Sequence, residues 1–223
     1  MDNIYRYFFN LDVMRQSLPF LLNGLWLTIG IALMVIACGL TLGLGLAVVR
    51  AFQIRILNIF IIAFADIFRA IPALVILMLV YFALPSVGIT FSSITSVVIT
   101  LSLVLAAFSL EIFWAGITAV NPGQWEAARS TGLTFTQTLR HVVLGQAIRM
   151  VIPPLTNRTI AITKYTAIAS AVSVPEILNQ ASTQQAQLAN PTPLTLAAIL
   201  YILMFLPLVF LSRYLEHHYG KGR

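Results

Sequence analysis

The sequence predicts an all-helical membrane protein with five spans and a structured polar insert between the third and fourth. Three observations carry this reading. Hydrophobic residues fill 59% of the 223 positions and the mean hydropathy is +0.92, well above the range of soluble domains. The apolar runs are far longer than the roughly 10 residues of a barrel strand, so the spans are helices. Charged residues make up only 9% of the chain, and most sit where apolar runs end. The net charge of +6 therefore reads as membrane orientation, not as a nucleic-acid surface. Cys38 lies alone inside an apolar run, which leaves no internal disulfide and no cysteine metal cluster; packing explains it.

Residues 1–20 are broken by Arg6, Asp12 and Arg15 too often for a signal-peptide core. Ile4, Tyr7, Phe8 and Leu11 fall at helical spacing, which suits either an amphipathic interfacial helix or a partly ordered tail with aromatic anchors. The transmembrane domain follows over residues 21–215. Its first span, 21–49, holds Gly39 and Gly43 as a GxxxG step, a face that another helix can approach closely. The second span, 56–84, contains Asp66, Arg69 and Pro72. Pro72 lacks an amide hydrogen and is expected to kink the helix. Asp66 and Arg69 share a helical face: either they neutralise each other beside the kink, or Arg69 faces a solute path and binds an anionic group.

The third span, 91–120, has Glu111 as its ionisable residue. A carboxylate at that depth needs a basic partner, water or a proton, and serves either as a brace or in transport. The fourth span, 146–171, is expected to be interrupted at Pro153-Pro154 and is punctuated by Arg149, Asn157, Arg158 and Lys164. Broken helices with polar groups at membrane depth line cavities or lie buried in protein. Lys164, flanked by Tyr165 and Thr166, is the best single candidate for contacting a solute, although a lysine can also snorkel to the interface. Ser173 to Glu176 matches a capping box, followed by an exposed polar helix and loop. The fifth span covers 194–211, and a basic tail, 216–223, ends the chain. His217 and His218 lack a third ligand and read as interfacial tail, not as a metal site.

The insert, residues 121–145, is too rich in helix signals to be a connector. Asn121 suits an N-cap, Pro122 the first helical position, and Gln124 the place of a capping-box partner. A short helix should run through Glu126, Ala127 and Ala128 and stop at Gly132. Thr134 or Thr136 can then cap a second helix, giving a two-helix knob on one membrane face. The links at Arg50/Arg55 and at the knob, together with the tail, hold at least seven of the thirteen Lys and Arg residues. The positive-inside rule places them in the cytoplasm and the N-terminus outside.

Glu126-Ala127-Ala128, three residues, then Gly132 resembles the EAA signature of permease subunits in binding-protein-dependent ABC importers. That family follows the glycine with nine residues and an I-x-L-P pattern; here Val142 to Gly145 end in glycine, still a helix breaker. Phe68-Arg69-x-Ile71-Pro72, Glu111-Ile112, Gly123-Gln124 and Lys164-x-Thr166 narrow the resemblance to the polar amino acid branch, of the histidine and glutamate/aspartate permease type. The likeness covers nearly the whole chain. It implies a type I importer-like fold in the bacterial inner membrane, with Arg69, Glu111, Lys164, Tyr165 and Thr166 toward substrate. It implies coupling through Glu126, Ala127, Ala128 and Gly132, and helix breaks at Pro72, Pro153 and Pro154.

The implied partners are a second permease, the same or a sister chain, two cytoplasmic ATPase subunits, an external substrate-binding protein and membrane lipid. This chain has no G-x-x-x-x-G-K-[ST] loop, so ATP and Mg²⁺ belong to the ATPase, and no cofactor is expected here. Two departures bear on cargo. Tyr165 stands where the family often has aspartate, and Trp114 where it commonly has arginine. Losing the acidic residue removes a ready partner for a basic side chain, while Arg69 and Lys164 remain to meet carboxylates, which favours an acidic or neutral amino acid, or a derivative, over a basic one. An ion-driven secondary transporter with Glu111 or Asp66 carrying protons is the alternative; five spans with no internal repeat and a structured knob argue against it.

Overall fold

The computed structural model describes residues 7–220. Helix α1 spans Leu11–Ala51, 41 residues. It starts ten residues before the expected Leu21, because the Asn10 side chain accepts from the Asp12 and Val13 amides at 3.1 and 3.3 Å and caps it there. Asp12 in its first turn and Arg50 in its last both complement the helix dipole. Residues 11–20 of the expected interfacial stretch belong to this helix, Tyr7 and Phe8 precede it, and Ile4 lies outside the described residues.

The second span is broken, not kinked. Helix α2 runs Arg55–Ala70 and α3 Ala73–Met78, with Ile71 extended at φ −87°, ψ 131° and Pro72 as the N-cap of α3. The cause is the proline ring, which crowds the residue before it out of the helical region. A π-turn, Leu79–Ala83, and a 3₁₀ turn, Leu84–Val87, follow and end at Gly88. Then come α4 (Ser93–Ala119), α5 (Pro122–Ser130), α6 (Phe135–Thr138), a π-turn over Leu139–Val143, α7 (Leu144–Thr163), a 3₁₀ helix over Lys164–Val172, α8 (Ile177–Leu188) and α9 (Thr192–Gly220).

Helix α7 corrects two expectations. Pro153 and Pro154 lie inside it without ending it, and Gly145 is its second residue. Each proline withholds one amide from the helical ladder, yet Val151 and Leu155 on either side are buried in the core and hold the path. The change of helix type falls ten residues later, at Lys164. Nine residues of 3₁₀ helix is long, since its hydrogen-bond geometry is poorer and runs beyond three or four are uncommon.

Among the described residues, α1, α4 and Thr192–His218 of α9 are long and apolar enough to cross a membrane. The broken pair around Pro72 makes a fourth if counted as one span. Helix α7 does not join them, because Gln146, Arg149, Asn157 and Arg158 dilute its apolar residues.

The chain forms two compact units. One comprises Met1–Ile36, Pro72–Leu101 and Ala161–Leu208. Its core gathers Leu21 of α1, Ile177 and Ala181 of α8, and Leu196, Ala197 and Leu200 of α9. Ser173 does not cap α8: it is left-handed at φ 57° and ends the 3₁₀ helix. Glu176 is the cap, accepting from the Leu178 and Asn179 amides at 3.0 and 2.8 Å. Ile177, Ala181 and Gln184 are buried at helical spacing, so α8 packs one face where a fully exposed helix was expected.

The other unit comprises Ala37–Ile71, Ser102–Ile160 and Val209–Arg223. Its core runs from Ala47, Ile61 and Leu110 to Leu139, Val143 and Val151. Within it α1 and α4 meet with almost no space between them. A Cβ on Gly39 would lie 2.8 Å from Leu105, and one on Gly43 would lie 2.0 Å from Ser109 Oγ. The Ser109 hydroxyl donates to the Gly39 carbonyl at 3.3 Å. The GxxxG face packs against α4, and the Ser109 side-chain hydrogen bond to the Gly39 carbonyl reinforces it.

Candidate functional site

The knob is built by local chemistry. The Asn121 side chain accepts the Gly123 amide at 2.8 Å, and Pro122 occupies the first position of α5. Gln124 makes no capping box; its side-chain oxygen accepts instead from Gln146 at 3.3 Å, tying α5 to α7. Gly132 turns the chain at φ +89°. A Cβ there would meet nothing within 4 Å, so it is the backbone conformation that calls for glycine. Thr134 caps α6 and Gln137 answers it in a reciprocal capping box.

Glu126 and Ala127 lie exposed on α5, while Ala128 is buried. The knob is seated by rings: Trp125 stacks on Phe135 at 5.4 Å between centroids, and Phe135 meets Phe52 at 5.3 Å. Among the described residues no side-chain partner engages Glu126. Its carboxylate therefore does not hold the knob together through a side-chain contact among the described residues.

In the same unit, Arg50 donates to Glu111 at 2.8 Å. The Arg50 guanidinium also lies 4.7 Å from the centre of the Trp114 ring. These side chains are mostly shielded, at 14% exposure for Arg50 and 29% for Glu111. Arg50 is the functional-site neighbour that reading the sequence missed, having counted only as an orientation charge. The available signal was depth: both residues lie close to the knob end of their helices. Arg69 donates to Asp66 at 2.6 Å on the exposed face of α2 and also to the Ala65 carbonyl at 3.2 Å. Arg69 and Glu111 are thus each engaged with a partner of their own.

Lys164, Tyr165 and Thr166 open the 3₁₀ helix of the other unit. Lys164 and Tyr165 are exposed, whereas Thr166 is buried and spends its hydroxyl on the Thr163 carbonyl at 2.8 Å. Lys164 Nζ stands 5.9 Å from the Phe205 ring centre, at the outer limit of a cation–π contact. A buried carboxylate of the same unit, Glu176, accepts from Tyr201 at 2.7 Å besides capping α8. Burial pushes its pKa above the ordinary carboxylate value, and the bonds from Tyr201, Leu178 and Asn179 partly oppose that rise.

Residues 39–221 match the family model described as the binding-protein-dependent transport system inner membrane component. The chain belongs to this permease family. Its place in the polar amino acid branch rests on relatives. It is 36% identical over 177 residues to the probable amino-acid ABC transporter permease protein YckA of Bacillus subtilis (strain 168), covering 79% of this chain and 78% of that one. It is 31% identical over 206 residues to the probable glutamine ABC transporter permease protein GlnP of the same organism, covering 91% and 94%. A solved structure described as an amino acid ABC transporter with histidines superposes with a TM-score of 0.83 at 30% identity, covering 92% of this chain and 96% of that one.

The permease is therefore a multi-pass inner membrane protein of an amino acid ABC importer. It is the membrane subunit and not the ATPase, and membership implies an ATPase and a binding protein as partners.

Proposed function

We propose that this permease, paired with a second permease that is either the same chain or a sister chain, lines a path for a polar amino acid and couples it to two cytoplasmic ATPase subunits through the knob. The observation that carries the reading is the knob itself. It is rigidly capped, seated by stacked rings, and presents an exposed carboxylate, Glu126, with no partner among the described residues. A connector needs none of these; a docking element needs all three. Closure of the ATPase pair on ATP would move the knobs and, through them, the spans. Counting α2–α3 and α7 as one span each gives five spans, and the positive-inside distribution supports a cytoplasmic knob and an external N-terminus.

We assign Lys164, with Tyr165 beside it, to an anionic group of the cargo, and separately Arg69, whose guanidinium keeps donors beyond its bonds to Asp66 and the Ala65 carbonyl. Glu111 is better placed as a brace, since Arg50 already holds its carboxylate. Thr166 shapes the wall and does not donate to cargo, because its hydroxyl is spent. With Glu111 engaged and Tyr165 in place of an acidic residue, the path offers little to hold a basic side chain. An acidic or neutral amino acid, or a derivative, fits better.

The test is the reconstituted importer with its binding protein. Gly132→Pro cannot adopt φ +89°, so the chain should reach the membrane while ATPase activity no longer drives uptake. Normal substrate-stimulated transport by that variant overturns the coupling role. Uptake of lysine or arginine at lower concentration than glutamate or glutamine overturns the cargo preference. Uptake that survives ATP depletion and follows the proton gradient overturns the importer mechanism.

A further inference from the structure

Where α4 meets the knob there is an open cavity of about 360 Å³, within the size range of small-ligand sites. Trp114 and Thr118 of α4, Trp125 and Glu126 of α5, and Phe135 of α6 line it, with Gln53 from the link after α1. Its chemistry is distinctive in a knob that is otherwise basic. Three aromatic rings, each half-buried, form the wall. Trp125 and Phe135 are stacked within 23° of parallel, and Phe52 backs Phe135, so the wall is fixed in place. Ring faces carry partial negative charge and attract cations. Trp114 already shows this affinity, with the Arg50 guanidinium against its ring.

Glu126 is the charged residue of the lining, and its carboxylate has no partner among the described residues. The basic residues of the knob, Arg129, Arg140 and His141, do not line the cavity, and the charge of Arg50 is matched by Glu111. The Thr118 hydroxyl is spent on the Trp114 and Ala115 carbonyls at 3.0 and 3.1 Å, which leaves an anion little to bind.

We propose that this cavity is a binding site for an alkylammonium group, held by the Trp114, Trp125 and Phe135 rings and neutralised by Glu126. The group has two natural sources, the amine head group of a phospholipid or a free organic cation. Arg69, Lys164 and Tyr165 do not line the cavity. Its occupant lies against Glu126, so occupancy would bear directly on how the knob meets the ATPase.

The experiment uses the full-length permease, alone and in the assembled transporter, in nanodiscs of phosphatidylglycerol. Tetramethylammonium and ethanolamine are titrated against tryptophan fluorescence in a Trp26→Phe background, which removes the tryptophan that does not line the cavity. The expected result is a saturable change whose Kd rises about tenfold or more in Glu126→Gln, as loss of the carboxylate requires. Thr118→Phe is the second variant: Thr118 is exposed, so the fold tolerates the change, and the ring fills the cavity and should abolish the response. Both variants are compared with wild type for elution and thermal stability.

A response that does not saturate, or that both variants leave as it is in wild type, overturns the proposal. So does binding by the chain alone that vanishes in the assembled transporter, because the cavity then belongs to the ATPase contact. Adding phosphatidylethanolamine to the nanodisc separates the sources: a titration shifted to higher concentration identifies the lipid head group, and an unchanged one the free cation. Because binding is read directly, failure here leaves the importer reading standing, and failure of transport leaves this site standing.

Discussion

Replacing Gly43 by alanine tests the contact that sets the distance between α1 and α4. The new Cβ would lie 2.0 Å from Ser109 Oγ, 3.0 Å from the Ala106 carbonyl oxygen and 3.1 Å from the Leu110 amide nitrogen. The first neighbour can rotate away, but Ser109 then gives up its bond to the Gly39 carbonyl, worth ~0.6 kcal/mol for an average interhelical bond in a membrane protein. The other two are backbone and can yield only if the helices separate, an overpacking strain of ~1–3 kcal/mol. Alanine recovers ~0.8–1 kcal/mol through its higher helix propensity. The net loss is about 1–3 kcal/mol, which at ~2–4 °C per kcal/mol for a chain of this size lowers Tm by roughly 2–12 °C. The assay is thermal unfolding of the purified chain in detergent, followed by size-exclusion recovery. Gly45→Ala is the control, since a Cβ there meets nothing within 4 Å, and it should match or slightly exceed wild type. Gly43→Ala combined with Ser109→Ala should recover part of the loss. If Gly43→Ala and Gly45→Ala unfold together at the wild-type temperature, the close approach is refuted.

Three further outcomes follow from the geometry. Arg50→Gln leaves the shielded Glu111 carboxylate without its partner and should destabilise by ~3 kcal/mol, whereas Arg50→Gln with Glu111→Gln should be milder; a double-mutant cycle on Tm measures the difference. The raised pKa of Glu176 means the folded state holds its proton more tightly than the unfolded state, so this group's contribution to stability should fall as pH rises from the ordinary carboxylate value to the raised one; Tm against pH should flatten over that window in Glu176→Gln. Lys164→Gln should weaken uptake of an acidic or neutral amino acid about tenfold or more in proteoliposomes with little change in Tm, because Lys164 is exposed and no carboxylate pairs with it among the described residues.

The knob was legible in the sequence because its determinants act over a few residues. Asn121 caps Gly123, Thr134 and Gln137 cap each other, and Gly132 supplies a positive φ, all within three positions or fewer. The long apolar spans were legible for the same reason: hydropathy and helical period are properties of a continuous stretch. The candidate site was only half legible. Arg69 with Asp66 could be read as an i, i+3 pair, but Arg50 lies 61 positions from Glu111, and nothing local links them.

By itself, then, the sequence determined a helical membrane permease with a capped knob, and its branch, through residues whose chemistry is local. Only the tertiary structure decided what each polar group at depth does. Ser173 and Glu176 show the difference. A capping box opened by Ser173 was the local expectation, but Ser173 ends the 3₁₀ helix, and Glu176, which also accepts from Tyr201 25 residues on, is the cap. Proline shows it again: Pro72 ends a helix, whereas Pro153 and Pro154 lie within one flanked by buried Val151 and Leu155. The loss of an amide is the same at each proline; whether the chain breaks depends on whether packing on its neighbours outweighs that loss.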